Sequence, residues 1–595
     1  MEIVSDKVKE LLGRQFRNPC HFKVILGVIE PTAVDESSLT ANNNAYFSSL
    51  EPIELGQQVL AQYGTLEDYF TPLNDAKELP REVWEPQVYQ GYVSEAMSDE
   101  SCTYGKIPTV TITTDTPIRV AGLTMGFDII NKDYPTELRI TAYLSDSLVD
   151  QLNVNPDSWQ YVVNHPFEYF DKLTIEFLKS NVPYRRARFT SIIYGVSRVY
   201  DTSNRHNISN LISAKEEREI SMVNKTLPTF NVSFSINNIS KEFDIDNPQG
   251  IDKYLVANQP ATYYWGIEDD AGEVQWILGG NVLTDGTLKA DSTQLTLSCT
   301  DKLTKLNDTF IKGLYRASGI SLYDLAVEVL ADAGVSAEDY VLDSNLKNIT
   351  TFAPLPATTH KACLQLIAAA GLCILYTNRL GQICIIQAPT TIENYYLDLN
   401  MAIDEAPATT MIQKMKNMKS YYHAFSIESS SSQIGAMDTN LKGTETLQIQ
   451  YEAATSVVAT VTGGTLNSAV YYTKYCELSI TATGPVSIKI NGKKLVTTQT
   501  LVEQTFDVTG KTAEIENPLI CSYEHCIQYM EYVANAIENR HVYEGQFRGD
   551  PTLDVGDKVT AETKFSSSVP STLTKLTIDY KGSFDGNVKF TKVEK

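Results

Sequence analysis

The sequence predicts a mainly β, multidomain chain, and three observations carry that reading. At 595 residues it is too long for one hydrophobic core and divides into roughly three to five domains. Its usage, 43% hydrophobic and 21% charged with 33 Tyr, suits strands with one half-wet face and excludes a disordered chain. Apolar and polar residues also alternate closely in several runs: Leu123, Met125, Phe127 and Ile129 in LTMGFDI, Leu138, Ile140 and Ala142 in ELRITAY, Leu173, Ile175 and Phe177 in KLTIEFL.

Residues 1–95 are weakly periodic and form an N-terminal connecting segment. MEIVSDKVKELLGRQF lacks the apolar core and cleavage site of a secretory signal and patterns as a short amphipathic helix. HFKVILGVIEP makes one strand, and LGQQVLAQYGTLEDYFTPLND is turn-rich. A segment of this kind owes its order to contact with something else. Residues 96–198 hold the alternating runs, spaced by Pro, Asn and Asp turns, and make a β-sandwich. Within DSWQYVVNHPFEYF, Trp159, Tyr161 and Val163 follow strand spacing, which suits core or edge packing; Trp159 and Tyr161 are also the candidates for stacking on a glycan.

Residues 199–312 form a further β domain through PTFNVSFSIN, PATYYWGI and VQWILGGNVL. Asp244, Asp246 and Asp252 lie at a strand-to-helix junction, where carboxylates cap free backbone N–H groups. A calcium loop fails on spacing, because Pro248 and Gln249 occupy its fifth and sixth positions. Glu268, Asp269 and Asp270 precede Ala271-Gly272 and read as a solvated hairpin turn. Residues 313–399 turn helical. SLYDLAVEVLADAG starts at the N-cap Ser321, pairs it with Asp324 and stops at Gly334. THKACLQLIAAAG gives a second helix and LCILYTNRLGQICII a hairpin, a small α/β domain with Cys363, Cys373 and Cys384 on apolar positions. Short Gly-punctuated strands across 427–516 make an inserted β-sandwich. It splits a last domain into 400–426 and 517–595, which includes the helix YEHCIQYMEYVANAIEN.

The net charge of −24 repels phosphate backbones and argues against sequence-specific nucleic-acid binding. The longest apolar stretch, ACLQLIAAAGLCILY, contains Gln365 and is too short to span a bilayer, so a soluble protein is expected. Nine cysteines without repeated CxxC spacing indicate reduced, buried thiols. Cys521, His525, Cys526 and His541 are possible zinc ligands, but adjacent His525 and Cys526 leave a helix on different faces. No phosphate loop, GxSxG elbow or HExxH helix occurs. The expectation is a non-enzyme with no catalytic residue, cofactor or metal. Arg548-Gly549-Asp550 continues into PTLDVGDKV and reads as a turn. YRRAR supplies a basic patch, Arg185, Arg186 and Arg188, for an acidic partner, of which a neighbouring copy is the natural candidate.

The order of GYVSEAMSDE, IRVAGLTMGFD, LTIEFLKSNVPYRRARFTSIIYG, FDIDNPQGIDKYLVANQPATYYWG and FRGDPTLDVGDKV resembles tail proteins of phages and phage-tail-like particles of Gram-positive bacteria. It is similar in particular to the baseplate hub, or tail-associated, class. The resemblance implies that 96–198 is a discoidin-like β-sandwich, that 199–312 is a first tail-tube-like barrel with Asp246, Asn247 and Pro248 at its helix start, and that 400–426 with 517–595 is a second. Two such barrels per chain imply a homotrimer whose six barrels form a ring at the virion tail tip. Implied partners are the tail tube or distal tail ring proteins, a central spike or tip protein and the tape-measure protein. The acidic balance would give an acidic channel past which DNA slides. The rivals are an adhesin reading host-surface glycans through Trp159 and a tail-tip peptidoglycan hydrolase.

Overall fold

The computed structural model describes residues 4–45, 48–54, 56, 91–129, 131–203, 211–239, 241, 243–244, 247, 252–290, 293–389, 396–397, 399, 402, 406–538 and 541–592. The chain is mainly β, and among the described residues thirteen strands join one sheet. From one edge to the other its main path runs Gly195–Asp201, Cys20–Ile29, Pro260–Glu268, Val274–Ala290, Gln294–Thr300, Thr229–Asn237, Leu211–Glu219, Ser566–Tyr580, Phe584–Lys592, His541–Arg548 and Ala408–Met411. The first seven of these strands make one module and the last four, with Lys558–Thr563 and Tyr396–Leu397, make a second. The modules meet where Leu211–Glu219 runs antiparallel to Ser566–Tyr580, from Ala214 opposite Tyr580 to Glu219 opposite Lys575.

Alternation explains why the two modules share an interior. In Thr229–Asn237 the residues Phe230, Val232, Phe234 and Ile236 are buried and the residues between them are not. Their counterparts Phe547, Leu576, Ile578 and Phe590 belong to the same apolar cluster, and each such side chain contributes about 1.5–3 kcal/mol by leaving water. Trp265, 1% exposed, makes edge contacts with Phe22 at 4.9 Å and with Phe584 at 5.4 Å. One side chain of the first module is thus wedged between strands from both ends of the chain.

The N-terminal residues are part of this core. Cys20–Ile29 lies between Gly195–Asp201 and Pro260–Glu268, so the contact that orders it comes from its own chain. Ser5 caps the helix Asp6–Gly13, which buries Val8, Leu11 and Leu12. Of the turn-rich stretch 55–75, only Gly56 is among the described residues.

The sandwich has a core of its own. A sheet of Ser37–Ala41, Thr109–Val120, Phe167–Ser180, Pro135–Leu144 and Ser147–Val154 faces one of Ser191–Ile193, Leu123–Gly126 and Gln160–Val163. Met125, Phe127, Ile140, Ile175 and Phe177 fill the space between. Two boundaries move relative to expectation. The sandwich recruits Ser37–Ala41, ahead of 96, and the division at 198/199 falls inside Gly195–Asp201, a strand of the large sheet. Strand periodicity reports which face is buried and not which sheet a strand joins.

In the α/β region the helix Leu322–Asp332 buries Leu322, Leu325, Ala326, Val329 and Leu330, and Ser321 accepts from Asp324 N at 3.0 Å. Gly334 ends it at φ +72°, a left-handed conformation that costs glycine little. His360–Ala370 packs beside it over Ile374–Thr377, Ile383–Ile386 and the parallel Tyr340–Leu342. Cys363, Cys373 and Cys384 are buried. The insertion forms around the 31-residue strand Tyr475–Thr505, which pairs with Ser432–Gln450 on one edge and with Ala454–Thr462 and Thr465–Tyr471 on the other. Its far end pairs with Met415–Ile427, and the helix Tyr523–Glu538 covers that ribbon through Cys526, Met530 and Val533.

Candidate functional site

The outward face of the shared sheet is polar across both modules. Three opposite-charge pairs lie directly across neighbouring strands: Lys215 faces Asp579, Glu219 faces Lys575, and Lys589 faces Glu544. Such cross-strand pairs stabilise a sheet modestly. Lys575 Nζ lies 2.6 Å from Glu217 Oε1 and 3.4 Å from Glu219 Oε2; the hydrogen bond from Lys575 holds the Glu217 carboxyl below its usual range. Two grooves follow this face. One of about 590 Å³ is lined by Glu217, Glu544, Lys575, Asp579 and Asp585 among others, and one of about 530 Å³ by Lys215, Asn231, Ser233 and Ser298 among others. This face carries both signs, and like charges are opposed on it too, Lys575 across from Lys589 and Asp579 across from Asp585.

Beneath the polar face, Arg218 organises a buried node. Glu216 and Arg218 occupy inward positions of Leu211–Glu219 and are each 1% exposed. The guanidinium donates to Glu216 Oε1 at 2.5 Å, to the two Asp554 oxygens at 3.0 and 3.1 Å, to Gly279 O at 2.6 Å and to Tyr263 Oη at 3.3 Å. Its apolar face covers the Phe230 ring at 3.7 Å. Trp265 Nε1 donates to the other Glu216 oxygen at 3.0 Å. From the α/β region, Arg379 reaches Asp554 at 3.4 Å and the carbonyls of Leu278, Pro551 and Leu553 at 2.8, 2.6 and 2.6 Å. Burial pushes the Asp554 carboxyl up, but Arg218 and Arg379 more than offset this and hold it below the usual value. A charge network this deep stands only with every donor matched. Its effect is to tie the first module, the second module and the α/β region at one point.

The Arg548-Gly549-Asp550 tripeptide is built into that junction as the turn its sequence suggests. Asp550 is 5% exposed and accepts from Thr552 N at 2.9 Å and Thr552 Oγ1 at 2.7 Å. Arg548 Nη1 donates to Gln15 O at 2.6 Å, and Arg17 Nη1 to Gly549 O at 2.6 Å. The same N-terminal stretch covers the turn at 268–270. Lys7 bonds Asp269, Arg14 meets both Asp270 oxygens at 2.6 and 2.9 Å, and His21 Nε2 lies 3.2 Å from Glu268 Oε1. The hairpin turn expected here is present and its tip is solvated, with Asp270, Ala271, Gly272 and Glu273 exposed. Glu268 and Asp269, at its base, are buried, with His21 and Lys7 beside them and the turn's own Ala271 and Glu273 N–H groups donating to Asp269.

The residues singled out in the sequence lie elsewhere. Trp159 precedes Gln160–Val163 and is half-buried, with its carbonyl accepting from Phe127 N at 2.7 Å; Tyr161 is half-buried against the sandwich core. Arg185 and Arg188 are 6% and 4% exposed. Arg188 Nη1 lies 2.9 Å from Asp133 and Arg188 Nε 3.5 Å from Asp128; Arg185 Nε lies 3.5 Å from Asp133. Arg186 donates to the carbonyls of Ser94 and Glu95. This basic run thus faces partners inside its own chain. Burial pushes the Asp133 carboxyl up to about 6 and the Arg188 guanidinium down to about 9. His525 bonds Ala370 O at 2.7 Å, while Cys521 lies 3.3 Å from Thr351 Oγ1. Asp246 and Pro248, expected at a helix start, lie outside the described residues. Among the described residues no three His, Cys, Asp or Glu side chains are grouped as a metal site, and no helix is long and apolar enough to cross a membrane.

Arg218, Asp554 and Arg379 were not anticipated. One signal was present: alternation in LISAKEERE places Ala214, Glu216 and Arg218 on the inward face, and two charges at inward positions require a buried partner.

No family model and no curated protein matches the sequence. Among solved structures, the 43 kDa tail protein of prophage MuSo2 from Shewanella oneidensis is similar at a TM-score of 0.37 and 12% identity, over 66% of this chain and 96% of that one. A tail protein from Neisseria meningitidis MC58 is similar at 0.38 and 8% identity, over 64% and 92%. The E. coli c3393 protein, a type VI secretion component with structural similarity to T4 tail proteins gp27 and gp5, is similar at 0.30 and 8%, over 66% and 76%. At TM-scores below 0.5 these likenesses describe partial overlap, and the functional reading rests on the residues of this chain.

Proposed function

We propose that the chain is a structural hub at the distal end of a phage or phage-like tail, where three copies join the tail tube to a central tip. The observation that supports this reading is the strand pairing of Leu211–Glu219 with Ser566–Tyr580. It sets two β modules side by side in one sheet, so three copies supply six modules, the number that matches a sixfold tube above to a threefold tip below. The shared face suits a passage wall. Lys215, Lys575 and Lys589 each have a carboxylate neighbour, which weakens their hold on a phosphate backbone. The Arg218 node gives the two modules one fixed relation, which a ring of repeated geometry needs. In this role the discoidin-like sandwich and the insertion are attachments carried outside the ring, and the protein acts by assembly and not by catalysis.

Mass photometry of the purified chain tests the reading. A species of three times the 66.2 kDa chain mass, converted to monomer by placing charges on the edge strand Ala408–Met411 with Thr409→Lys and Thr410→Lys, is the expected result. A strictly monomeric chain at all concentrations and in the presence of tail-tube protein contradicts it.

A further inference from the structure

At one end of the polar face the surface changes character. Glu219 and Lys589, whose side chains are 4.0 Å apart, border a pocket of about 400 Å³ floored by Ile220, Val223, Ile412 and Val542 and walled by Tyr532 and Ala536 of the helix Tyr523–Glu538. The walls are fixed. The Tyr532 hydroxyl donates to Met222 O and, at 3.5 Å, to Cys373 O, while Ile220 N donates to Thr574 O at 3.0 Å. Threonines 572, 574 and 591 and Asn535 supply hydrogen-bonding groups at the lining. A mostly apolar concavity of this size with a few polar groups is the composition of a binding pocket.

Its surroundings indicate what it holds. The Lys575–Glu219–Lys589 chain of charges joins the pocket to the polar groove that Lys575 also lines. The combined track crosses the strands Thr229–Asn237, Leu211–Glu219, Ser566–Tyr580, Phe584–Lys592 and His541–Arg548, about 20 Å at the usual strand spacing, or about six residues of extended chain. A small metabolite would leave most of that length empty. Nucleic acid is disfavoured because Glu217, Glu219, Glu544, Asp579 and Asp585 stand among Lys215, Lys575, Lys581 and Lys589 along the track and repel a phosphate backbone. We propose that the pocket is an anchor site for one bulky apolar side chain of a polypeptide whose flanking residues, of mixed charge, lie extended along the polar groove.

Fluorescence polarisation with the full-length chain tests this. The probes are fluorescein-labelled peptides Ser-Thr-Lys-X-Glu-Ser-Thr with X as Trp, Phe, Leu or Ala, and N-acetyl-tryptophanamide serves as competitor. Saturable binding of the three apolar probes, at least tenfold tighter than the Ala probe, is expected. Ala536→Phe and, independently, Thr591→Trp fill the pocket and should each weaken that binding tenfold or more with an unchanged melting temperature. Equal binding of all four probes, no binding at millimolar concentration, or full binding to both filled variants overturns the proposal. Competition by N-acetyl-tryptophanamide at the affinity of the Trp peptide also overturns it, in favour of a small-molecule site.

Discussion

The Arg218 guanidinium meets both carboxylate oxygens of Asp554 at 3.0 and 3.1 Å across 336 residues of chain. Removing one member leaves the other charge buried without its partner, which costs about 3–5 kcal/mol. Asp554→Ala is expected to lower the guanidinium chloride midpoint of the transition followed by Trp265 fluorescence, whose indole bonds Glu216 in the same node. Arg218→Met with Asp554→Leu should lose less than the two single variants summed. Additive losses would show that the pair is not coupled.

Asp133 makes the sandwich pH-dependent. Burial first, and Asp128 beside it, push this carboxyl up to about 6 against the pull of Arg185, while an unfolded Asp titrates near 3.9. The folded state therefore takes up a proton between about pH 4 and 6. The contribution to stability is complete below pH 4 and is lost as pH rises through 6. Carboxyl-carbon NMR should give a midpoint near 6, moved higher by Arg185→Met. A midpoint below 4 contradicts the burial argument.

The N-terminal helix packs on the first module, and Arg17 just beyond it reaches Gly549 of the second. Leu11 is 1% exposed, so Leu11→Ala should cost about 2–5 kcal/mol through lost burial and a residual cavity. Cys20, in the same cluster, is expected to react faster with a thiol reagent in this variant than in the parent chain. Unchanged reactivity would mean that the helix packs without holding the strand beneath it.

Charge matching on the shared face should govern adhesion to nucleic acid. Glu217→Lys with Asp579→Lys leaves Lys215 without the carboxylate across from it and Lys575 with Glu219 alone. Mobility-shift assays are expected to show DNA retention by this double variant and not by the parent chain, weakening steeply as salt rises. Equal mobility with both proteins would remove the role assigned to the pairing.

Local signals carried part of the architecture. Ser321, Asp324 and Gly334 define a helix by caps that act within a few residues, and the 123–129 and 138–142 alternations are met by buried Leu123, Met125, Phe127, Leu138 and Ile140. What local signals cannot specify is partnership between distant strands. Cys20–Ile29 carries the same pattern whether it joins a connecting segment or the middle of a sheet, and Asp554 reads as a turn residue until Arg218 is placed over it. The partners of the acidic turn at 268–270 are illegible for the same reason, since Lys7 and Arg14 lie more than 250 positions away. The polar face could not be read at all without the register between the first and last strands.

The central claim is a threefold hub built from paired modules. Cryo-electron microscopy of particles carrying a gold-labelled, tagged copy of this chain tests it most directly. The account predicts label on the particle axis at the end of the tube, with threefold symmetry and six sheet modules around a passage. Label on peripheral fibres, or on no particle at all, would contradict it.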